Sequence, residues 1–359
     1  MSKRIGILTS GGDCAGLNAC VRGALHHATQ LGWEVIGIHN GTHGLIKRPI
    51  DYEVLKPSVF DSTILKRGGT ILGTTNKGNP FAFPMPDGTT KDLSDDIVQG
   101  IKMLELDAVI GIGGDGSFAI LRKLAQEGGF KLVGVPKTID NDLGETEVSI
   151  GFDTAVSVAT EALDRLQPTA ASHDRIMILE VMGRDAGHIA LNAGIAGGVD
   201  AILIPEVPYS LDSLAEHIQT IKRNGRNFAL VIVSEALKTE DGKKAQITYA
   251  NGEKRYGGIG HYIADELSKR TGSEARVTVL GHVQRGSAPT YSDRLIASAF
   301  GVHAVELIKQ EKYDRMVSWS RRQVVDVPIE EAIAAYKAVD PDDALVKTAR
   351  CLGISFGDA

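Results

Sequence analysis

The sequence predicts an α/β protein with one or two mostly parallel sheets. Short apolar runs such as Arg4–Thr9, Val109–Ile112 and Ile176–Val181 alternate with longer amphipathic segments of helical period. Polar, glycine-rich clusters follow several of these runs, and ligands in open α/β sheets bind beyond the carboxyl ends of strands. The alternation predicts βαβ units, and the clusters predict three loops at one edge of a sheet.

The elements can be followed along the chain, each strand as a short apolar run and each helix as a longer amphipathic one. The predicted strands are Arg4–Thr9, Val35–His39, Val109–Ile112, Leu132–Val135, Ile176–Val181, Ala201–Ile204, Ala229–Ser234 and Val277–Leu280. The predicted helices cover about residues 16–31, 97–106, 187–197, 210–224, 259–270 and 291–309. No internal repeat is visible, and the pattern suggests a domain boundary near residue 150.

The composition is typical of a globular protein that binds neither nucleic acid nor membrane. The 359 residues exceed the usual size of a single core, and 43% are hydrophobic and 23% charged. A net charge of −6 with scattered basic residues gives no electrostatic footprint for DNA or an anionic membrane. Three cysteines without CxxC spacing favour a reducing compartment, and no apolar stretch approaches the length of a membrane span. We therefore expect a cytoplasmic protein.

A glycine-rich loop after the strand Val109–Ile112 is the first candidate phosphate site. The segment Gly111–Gly116 fits the GxGxxG pattern of dinucleotide-binding turns, which alone is weak evidence. Asp115 argues against such a turn, because its carboxylate and a pyrophosphate repel each other unless a cation lies between them. We predict magnesium-bound phosphate here, next to a helix that opens at Ser117; the alternative is a tight turn whose acid caps the helix.

A second pair of glycines, Gly11 and Gly12, follows the first strand and precedes a helix. Glycine lets backbone N–H groups approach phosphate oxygens, although a purely structural turn explains the pair equally well. Asp13 is a candidate cap of the following helix. The pattern GxxxxGK[ST] occurs nowhere, which disfavours a P-loop kinase.

The loop Lys137–Asp142 carries several polar side chains within a few residues, which suits chemistry better than packing. We interpret Asp140 as a general base, because an acceptor hydroxyl loses its proton as the phosphorus–oxygen bond forms. Thr138 is placed to bind a transferring oxygen. The alternative is an Asx turn in which the aspartates satisfy their own backbone.

Two glycine-flanked arginine loops end later strands and together predict an anion site. Arg184 lies in Met182–His188, and Arg285 lies in Gly281–Gly286. An arginine in such a loop forks onto phosphate or balances negative charge in a transition state. Arg175 and Arg276 stand at strand starts, opposite the catalytic edge of their sheet. If they bind substrate, we therefore expect them to reach the active site of a neighbouring subunit.

Several segments together resemble the phosphofructokinase family: LTSGGDCAGLNACVRG, GGTILGTTN, IGGDGS, PKTIDND, SHDR, EVMGRDAGH, VSEA and TVLGHVQRG. They occur in family order over about residues 3–330. The resemblance implies two Rossmann-like three-layer α/β/α domains with the active-site cleft between them. It assigns residues 1–150 and about 284–334 to a nucleotide-binding domain, and about 151–283 with 335–359 to a domain that binds fructose 6-phosphate.

The resemblance also implies an activity, the transfer of a phosphoryl group with Mg²⁺ to the 1-hydroxyl of fructose 6-phosphate in glycolysis, and a set of site residues. Asp140 is the implied base, with Thr138 and Arg184 as further catalytic residues. The implied nucleotide-binding residues are Gly11, Gly12, Lys77, Gly114, Asp115, Gly116 and Ser117, of which Asp115 binds the metal. The implied substrate-binding residues are Thr138, Ile139, Asp140, Arg175, Met182, Gly183, Arg184, Glu235, Arg276, His282, Val283, Gln284 and Arg285. Arg175 and Arg276 match positions donated across a subunit interface, which implies a homodimer or homotetramer.

The phosphoryl donor is predicted from two positions, since family members use ATP or pyrophosphate. Gly116 favours ATP. By the resemblance, pyrophosphate-dependent members of the family have an aspartate at this position, and its carboxylate would repel the α-phosphate of ATP. Lys137 favours pyrophosphate, but an added cation cannot exclude ATP. The combination resembles a mixed subgroup of ATP-dependent enzymes that retain the lysine. Asn76 replaces an arginine of the family, which leaves Lys77 as the candidate phosphate contact, and Ile120 replaces a glycine near the adenine.

The effector site of bacterial relatives is altered at several positions. Arg22 is kept, but His26, Gln167 and Asn224 replace arginines, and only Arg226 adds a nearby basic group. We expect a weak or altered response to ADP and phosphoenolpyruvate.

Four alternatives remain open at this point. The same transfer could use pyrophosphate reversibly, or the chain could be another GGDG-type kinase that acts on NAD or a lipid. An NAD-dependent dehydrogenase would rest on GxGxxG alone, and a non-catalytic binding paralogue would be expected to lose Asp140 or Asp115.

Overall fold

The computed structural model describes residues 2–248 and 254–358. The chain forms two compact units, each with its own parallel sheet. The first comprises Met1–Ile139, Leu143–Thr154 and Arg285–Tyr336, and the second comprises Asp140–Asp142, Ala155–Gln284 and Lys337–Ala359. Neither unit is contiguous in the sequence, so each is completed by residues from distant parts of the chain.

The strands are, in chain order, β1 (Arg4–Thr9), β2 (Glu34–Ile38), β3 (Tyr52–Val54), β4 (Phe83–Pro84), β5 (Thr90–Lys91), β6 (Ala108–Gly113), β7 (Leu132–Pro136), β8 (Ile176–Val181), β9 (Ala201–Leu203), β10 (Ala229–Ser234), β11 (Gln246–Thr248), β12 (Lys254–Tyr256), β13 (Ala275–Val279), β14 (Arg315–Ser320) and β15 (Gln323–Pro328). The α-helices are α1 (Leu17–Gln30), α2 (Thr42–Ile46), α3 (Ser94–Met103), α4 (Asp115–Gly128), α5 (Phe152–Ser172), α6 (His188–Ala196), α7 (Leu211–Arg223), α8 (Ile259–Thr271), α9 (Tyr291–Lys309), α10 (Ile329–Ala334) and α11 (Ala344–Cys351). Two 3₁₀ helices cover Ser62–Lys66 and Gly281–Arg285.

The first unit is built on a seven-stranded sheet with the order β15-β14-β7-β6-β1-β2-β3. The pairs from β14 to β2 are parallel, and the edge strands β15 and β3 are antiparallel. Strands β1, β6 and β7 are almost entirely buried, as expected for parallel strands covered by helices on both faces. The prediction of a mostly parallel α/β fold is therefore confirmed for this unit.

The second unit contains a four-stranded, fully parallel sheet with the order β13-β8-β10-β9. Strands β8 and β10 are buried along their whole length, whereas the edge strand β13 is largely accessible. The core of this unit lies between the sheet and helices α7 and α8. The parallel prediction is confirmed here as well.

Helices α1 and α9 of the first unit pack closely through two glycines. A methyl group added at Gly23 would lie 2.5 Å from the carbonyl oxygen of Ser298, and one added at Gly301 would lie 2.2 Å from that of Cys20. Heavy atoms do not approach so closely without displacing the helices. The backbones therefore depend on glycine at both positions.

Gly301→Ala should lower the free energy of unfolding by about 1–3 kcal/mol, because the overlap outweighs alanine's better helix propensity. Urea unfolding followed by circular dichroism measures the change. Gly116→Ala is a matched helical control, since nothing lies within 4 Å of a methyl group there. Equal stability of the Gly301 variant and the wild type would contradict this close packing.

Two predicted helices begin at different residues in the structure, and one long helix was not predicted. The helix expected over 97–106 is α3, which begins at Ser94 and ends at Met103. Helix α4 begins at Asp115, two residues before the predicted Ser117. Helix α5 was not predicted, because its buried stripe consists mainly of alanines and Pro168 lies inside it. Among the described residues, no helix is both long and apolar enough to cross a membrane.

Candidate active site

The carboxyl ends of β1, β6 and β7 lie side by side in the first unit. Thr9 pairs with Ile112, and Gly113 pairs with Pro136, so the three strands end at the same edge of the sheet. The loops that follow them are the glycine pair, the start of α4 and the segment that begins at Lys137. These are the three loops that the sequence predicts at one edge.

The N-terminus of α4 offers an open, polar surface. Gly114 is its N-cap, and Asp115 is the first helical residue, exposed to solvent. A methyl group added at Gly116 would have no other atom within 4 Å, so the space beside this residue is empty of protein. The helix dipole and the N–H groups that point outward at a helix N-terminus favour an anion here.

Two cations approach the backbone of the first glycine loop. The Lys137 side chain is only 4% exposed, and its ammonium donates to the carbonyl oxygen of Gly12 at 2.5 Å. Arg285 Nη1 donates to the carbonyl oxygen of Asp13 at 3.0 Å. A methyl group at Gly11 would lie 3.2 Å from Lys137 Nζ, and one at Gly12 would lie 2.8 Å from Arg285 Nη1. Because glycine has no side chain at either position, the Lys137 ammonium and the Arg285 guanidinium can lie close to this loop.

The predicted helix cap at Asp13 is wrong. Helix α1 begins at Leu17, and its N-cap is Gly16, which has φ 103° and provides no capping side chain. The left-handed backbone at Gly16 turns the chain into the helix, so the carboxylate at Asp13 lies too far upstream to reach the first turn.

The remaining nucleotide candidates are Ser117 and Lys77. Ser117 is half-buried in the first turn of α4, and its hydroxyl would lie 3.1 Å from a methyl group at Gly11. Ser117 is therefore close to the glycine loop. Lys77 and the neighbouring Asn76 are exposed, and the backbone carbonyl of Lys77 accepts a hydrogen bond from the Thr75 hydroxyl at 3.1 Å.

The segment after β7 places buried acids directly beyond two candidate substrate residues. Thr138 is half-buried and its carbonyl accepts a hydrogen bond from Ser149 at 2.7 Å, and Ile139 is buried. Asp140 is 2% exposed and Asp142 6% exposed. Buried ionisable groups are common at functional sites, which makes this segment a candidate for function.

Glu235 follows β10 in the second unit and holds the segment Met182–His188, which we call the arginine loop. Its Oε1 accepts hydrogen bonds from the backbone N–H groups of Gly183 at 3.2 Å and Arg184 at 3.1 Å. Burial raises the pKa of Glu235 to about 7, and the negative charge of Asp140 contributes to the rise. Glu235 therefore changes its charge near neutral pH.

The arginine loop itself is tightly turned. Gly183 has φ 148° and Arg184 has φ 49°, and the N–H of Ala186 donates to the carbonyl of Gly183 at 3.0 Å. A methyl group at Gly183 would lie 2.5 Å from the carbonyl oxygen of Ala186, so only glycine fits. The Arg184 guanidinium is half-exposed and lies 3.8 Å from the Asp142 carboxylate. Its head group therefore remains accessible to a ligand.

The 3₁₀ helix Gly281–Arg285 brings a second set of candidates to the second unit's sheet. His282 and Val283 are exposed, whereas Gln284 is buried. Gln284 Oε1 accepts the backbone N–H of Met182 at 2.9 Å. Gln284 therefore connects the two loops that carry the sugar-phosphate candidates.

Arg175 and Arg276 meet at an acid that sequence reasoning missed. Arg175 Nε donates to Glu274 Oε2 at 2.7 Å, and Arg276 contacts Glu274 Oε1. Their hydrogen bonds and charges lower the pKa of Glu274. The only feature of the sequence that indicates this contact is the spacing of Glu274 and Arg276. Residues two positions apart in an extended chain point to the same side, so these two side chains lie together where β13 begins.

A resident metal cluster is not evident in the described part of the chain, where no three His, Cys, Asp or Glu side chains are grouped to hold one. The exposed Asp115 carboxylate at the α4 N-terminus nevertheless suits Mg²⁺. This ion commonly takes only one or two protein carboxylates and completes its shell with substrate phosphates and water.

Comparisons with known proteins agree with this arrangement. The family model described as phosphofructokinase matches residues 4–308. A protein of Nostoc sp. named ATP-dependent 6-phosphofructokinase 1 is 63% identical, and one of Synechocystis sp. with the same name is 61% identical, each alignment covering 99% of both chains. A crystal structure of Pichia pastoris phosphofructokinase in the T-state matches with a TM-score of 0.81 and 28% identity, and the match covers 99% of this chain and 37% of that one. A dehydrogenase finds no support in these matches, and we conclude that this chain belongs to the phosphofructokinase family.

Proposed function

We propose that this protein is an ATP-dependent 6-phosphofructokinase, which transfers the terminal phosphoryl group of ATP to the 1-hydroxyl of fructose 6-phosphate. The observation that carries the proposal is full-length similarity, at 63% and 61% identity, to two proteins named for this activity. The product is fructose 1,6-bisphosphate, and the step belongs to glycolysis. We propose that the enzyme acts in the cytoplasm.

In this proposal the nucleotide is bound by the first unit. The backbone of Gly11, Gly12 and Gly114 lets N–H groups approach phosphate oxygens, and the N-terminus of α4 adds its partial positive charge. Ser117 supplies a hydroxyl from the first turn, and Lys77 supplies an exposed ammonium. The proposed nucleotide-binding domain is residues 1–150 with about 284–334.

Family membership implies a divalent metal ion in catalysis, and we propose Mg²⁺ bound by Asp115. When bound, the ion neutralises charge on the phosphate oxygens. The Asp115 carboxylate holds it at the end of the helix where phosphates are also favoured. Gly116 leaves the adjoining space open for the α-phosphate of ATP.

The proposed acceptor chemistry uses the segment after β7. Asp140 takes the proton from the 1-hydroxyl as the phosphorus–oxygen bond forms. Thr138 donates a hydrogen bond to the transferring phosphoryl group, and the Arg184 guanidinium balances its negative charge. Burial of Asp140 keeps bulk water from competing for its lone pairs.

The sugar phosphate is bound mainly by residues of the second unit, about 151–283 with 335–359. Glu235 accepts hydrogen bonds from sugar hydroxyls, and arginine and histidine side chains meet the phosphate. The proposed contacts are Ile139, Met182, Gly183, Arg184, Glu235, His282, Val283, Gln284 and Arg285.

We further propose that Arg175 and Arg276 serve the neighbouring subunit of a homodimer or homotetramer. Glu274 holds both guanidinium groups on one carboxylate. Two arginines held together form a bidentate site for the 6-phosphate.

The affinity for fructose 6-phosphate should increase as the pH rises from about 6 to 8, because Glu235 ionises with a pKa of about 7. Ionised Glu235 accepts hydrogen bonds from sugar hydroxyls more strongly than the protonated acid does. The KM for fructose 6-phosphate, measured across this range, should therefore fall with rising pH. The substrate phosphate also titrates near pH 6, so its contribution must be separated from that of Glu235. Glu235→Gln is the control. If the KM of this variant has the same pH profile as that of the wild type, the pH dependence does not come from Glu235.

Effectors should act weakly on this enzyme, because the basic groups near the altered positions are engaged within the protein. Arg226 is paired with the buried Asp200, and the His26 ring lies 2.9 Å from the carbonyl oxygen of Phe60. Fructose 6-phosphate saturation curves with added ADP or phosphoenolpyruvate should change little. Strong sigmoidal inhibition by phosphoenolpyruvate that ADP relieves would be inconsistent with this expectation.

A single assay tests the proposed function. Purified protein with Mg²⁺ and fructose 6-phosphate is offered either ATP or pyrophosphate, and fructose 1,6-bisphosphate is measured. We expect product with ATP. Lys137 is the feature that favours pyrophosphate, and turnover with pyrophosphate alone would refute the proposed donor, whereas no product with either donor would refute the reaction itself.

A further inference from the structure

A hydrogen-bonded chain of three side chains connects the β11–β12 hairpin with the arginine loop of the second unit. The Lys244 ammonium donates to the Tyr256 hydroxyl at 2.8 Å, and this hydroxyl donates to Asp185 Oδ1 at 2.6 Å. Lys244 Nζ also lies 5.2 Å from the centroid of the Tyr256 ring. Asp185 is the residue directly after Arg184, so the chain ends beside the proposed sugar-phosphate arginine.

The arginine loop needs support on both sides of Arg184. A φ of 49° places this residue in the left-handed region, which glycine adopts freely but which disfavours L-residues, asparagine and aspartate less than the others. On the amino-terminal side, Glu235 accepts the N–H groups of Gly183 and Arg184. On the carboxyl-terminal side, the Asp185 side chain is fixed by Tyr256.

The charge of Asp185 also has to be controlled. Its carboxylate is exposed and lies one residue from the guanidinium that would bind a phosphorylated sugar. A carboxylate that rotated toward this guanidinium would offset its charge and repel the substrate phosphate. The hydrogen bond from Tyr256 fixes the orientation of the carboxylate, and Lys244 supplies a compensating positive charge.

We propose that Tyr256 and Lys244 are positioning residues for fructose 6-phosphate binding, which hold Asp185 so that Arg184 remains available to the substrate. This inference rests on the proposed function, since it concerns the sugar-phosphate side of that reaction. Both residues act through Asp185 and do not themselves touch the substrate.

Tyr256→Phe tests the inference, because it removes only the hydroxyl. We expect the KM for fructose 6-phosphate to rise about tenfold, as for a lost hydrogen bond to a charged group. The KM for ATP should stay within about twofold of the wild type, whereas kcat should fall as well, because Arg184 is also proposed to balance the charge of the transferring phosphoryl group. Lys244→Met should raise the same KM in the same direction by a smaller factor.

Two further variants separate this role from general loosening of the hairpin. In an Asp185→Asn background, adding Tyr256→Phe should change the KM much less than it does in the wild type, because the charge to be controlled is gone. Tyr313 is the matched control, since its hydroxyl donates to the backbone carbonyl of Ile308 at 3.4 Å and Lys131 Nζ lies 4.9 Å from its ring centroid, all within the first unit. Tyr313→Phe should leave the KM for fructose 6-phosphate unchanged.

The possible failures are distinguishable. If the wild type does not phosphorylate fructose 6-phosphate, the proposed function is wrong. If the wild type is active but Tyr256→Phe leaves the KM unchanged, only the positioning role is refuted. An equal rise in Tyr313→Phe, or full additivity with Asp185→Asn, would also refute it.

Discussion

Replacement of Asp140 by alanine should lower kcat by about 10²–10⁴-fold, the range that follows loss of a general base. The acceptor hydroxyl is a poor nucleophile until it loses its proton, and Asp140 is the buried acid that directly follows Thr138 and Ile139. The KM for ATP should change little, because nucleotide contacts are proposed for other residues. Steady-state kinetics with saturating Mg²⁺ and both substrates measure the effect.

Asp140→Asn provides the control for side-chain volume, since it keeps the shape and removes the basic oxygen. It also has a second readout, because the negative charge of Asp140 contributes to the raised pKa of Glu235. In Asp140→Asn the pH midpoint of the KM for fructose 6-phosphate should therefore move to lower pH. A near-normal kcat in either variant would remove Asp140 from the role of base.

Gly116→Asp should decrease kcat/KM for ATP by about 10²–10³-fold, because the new carboxylate meets the α-phosphate. Two unit charges about 4 Å apart repel by ~4 kcal/mol at an effective dielectric constant of about 20, and 1.4 kcal/mol corresponds to a factor of about ten. The protein itself should tolerate the change. Nothing lies within 4 Å of the new side chain's first carbon, and an acid in the first turn of α4 is favourable for the helix dipole.

The matched control is Gly116→Asn, which has the same size without the charge. If repulsion decides the donor, this variant should keep most of the activity with ATP, and any activity with pyrophosphate should survive in both variants. Equal losses of ATP activity in the two variants would assign the effect to size. An unchanged kcat/KM for ATP in Gly116→Asp would show that the α-phosphate does not occupy this space.

The parallel sheets could be predicted from the sequence because their strands leave a simple pattern. Strands β1 and β8 have the bounds that the sequence predicts, since each is a mainly apolar run that ends at a glycine or polar cluster. Helix α5 was missed for the opposite reason. Its buried face is made of small side chains, and Pro168 would normally end a helix, so only tertiary packing reveals it.

Motif order gives the proposed site residues, but not the contacts among them. Lys137 is a candidate phosphate contact by its place in the motif, whereas its ammonium is buried against the carbonyl of Gly12. The pairing of Arg175 with Glu274 and that of Tyr256 with Asp185 left no local signal, because these contacts join residues that are distant in the sequence. Such contacts depend on how the chain folds, and a single sequence does not encode them as a spacing.

The strand order of the first unit has a consequence for synthesis on the ribosome. Strand β7 is made early, but its parallel neighbour β14 begins only at Arg315, after nearly the whole second unit has been made. Until then the nascent chain carries β7 with one unpaired edge, and such edges recruit other strands. A chain that stops before residue 315 would therefore be expected to aggregate, even though every proposed catalytic residue is already present in it.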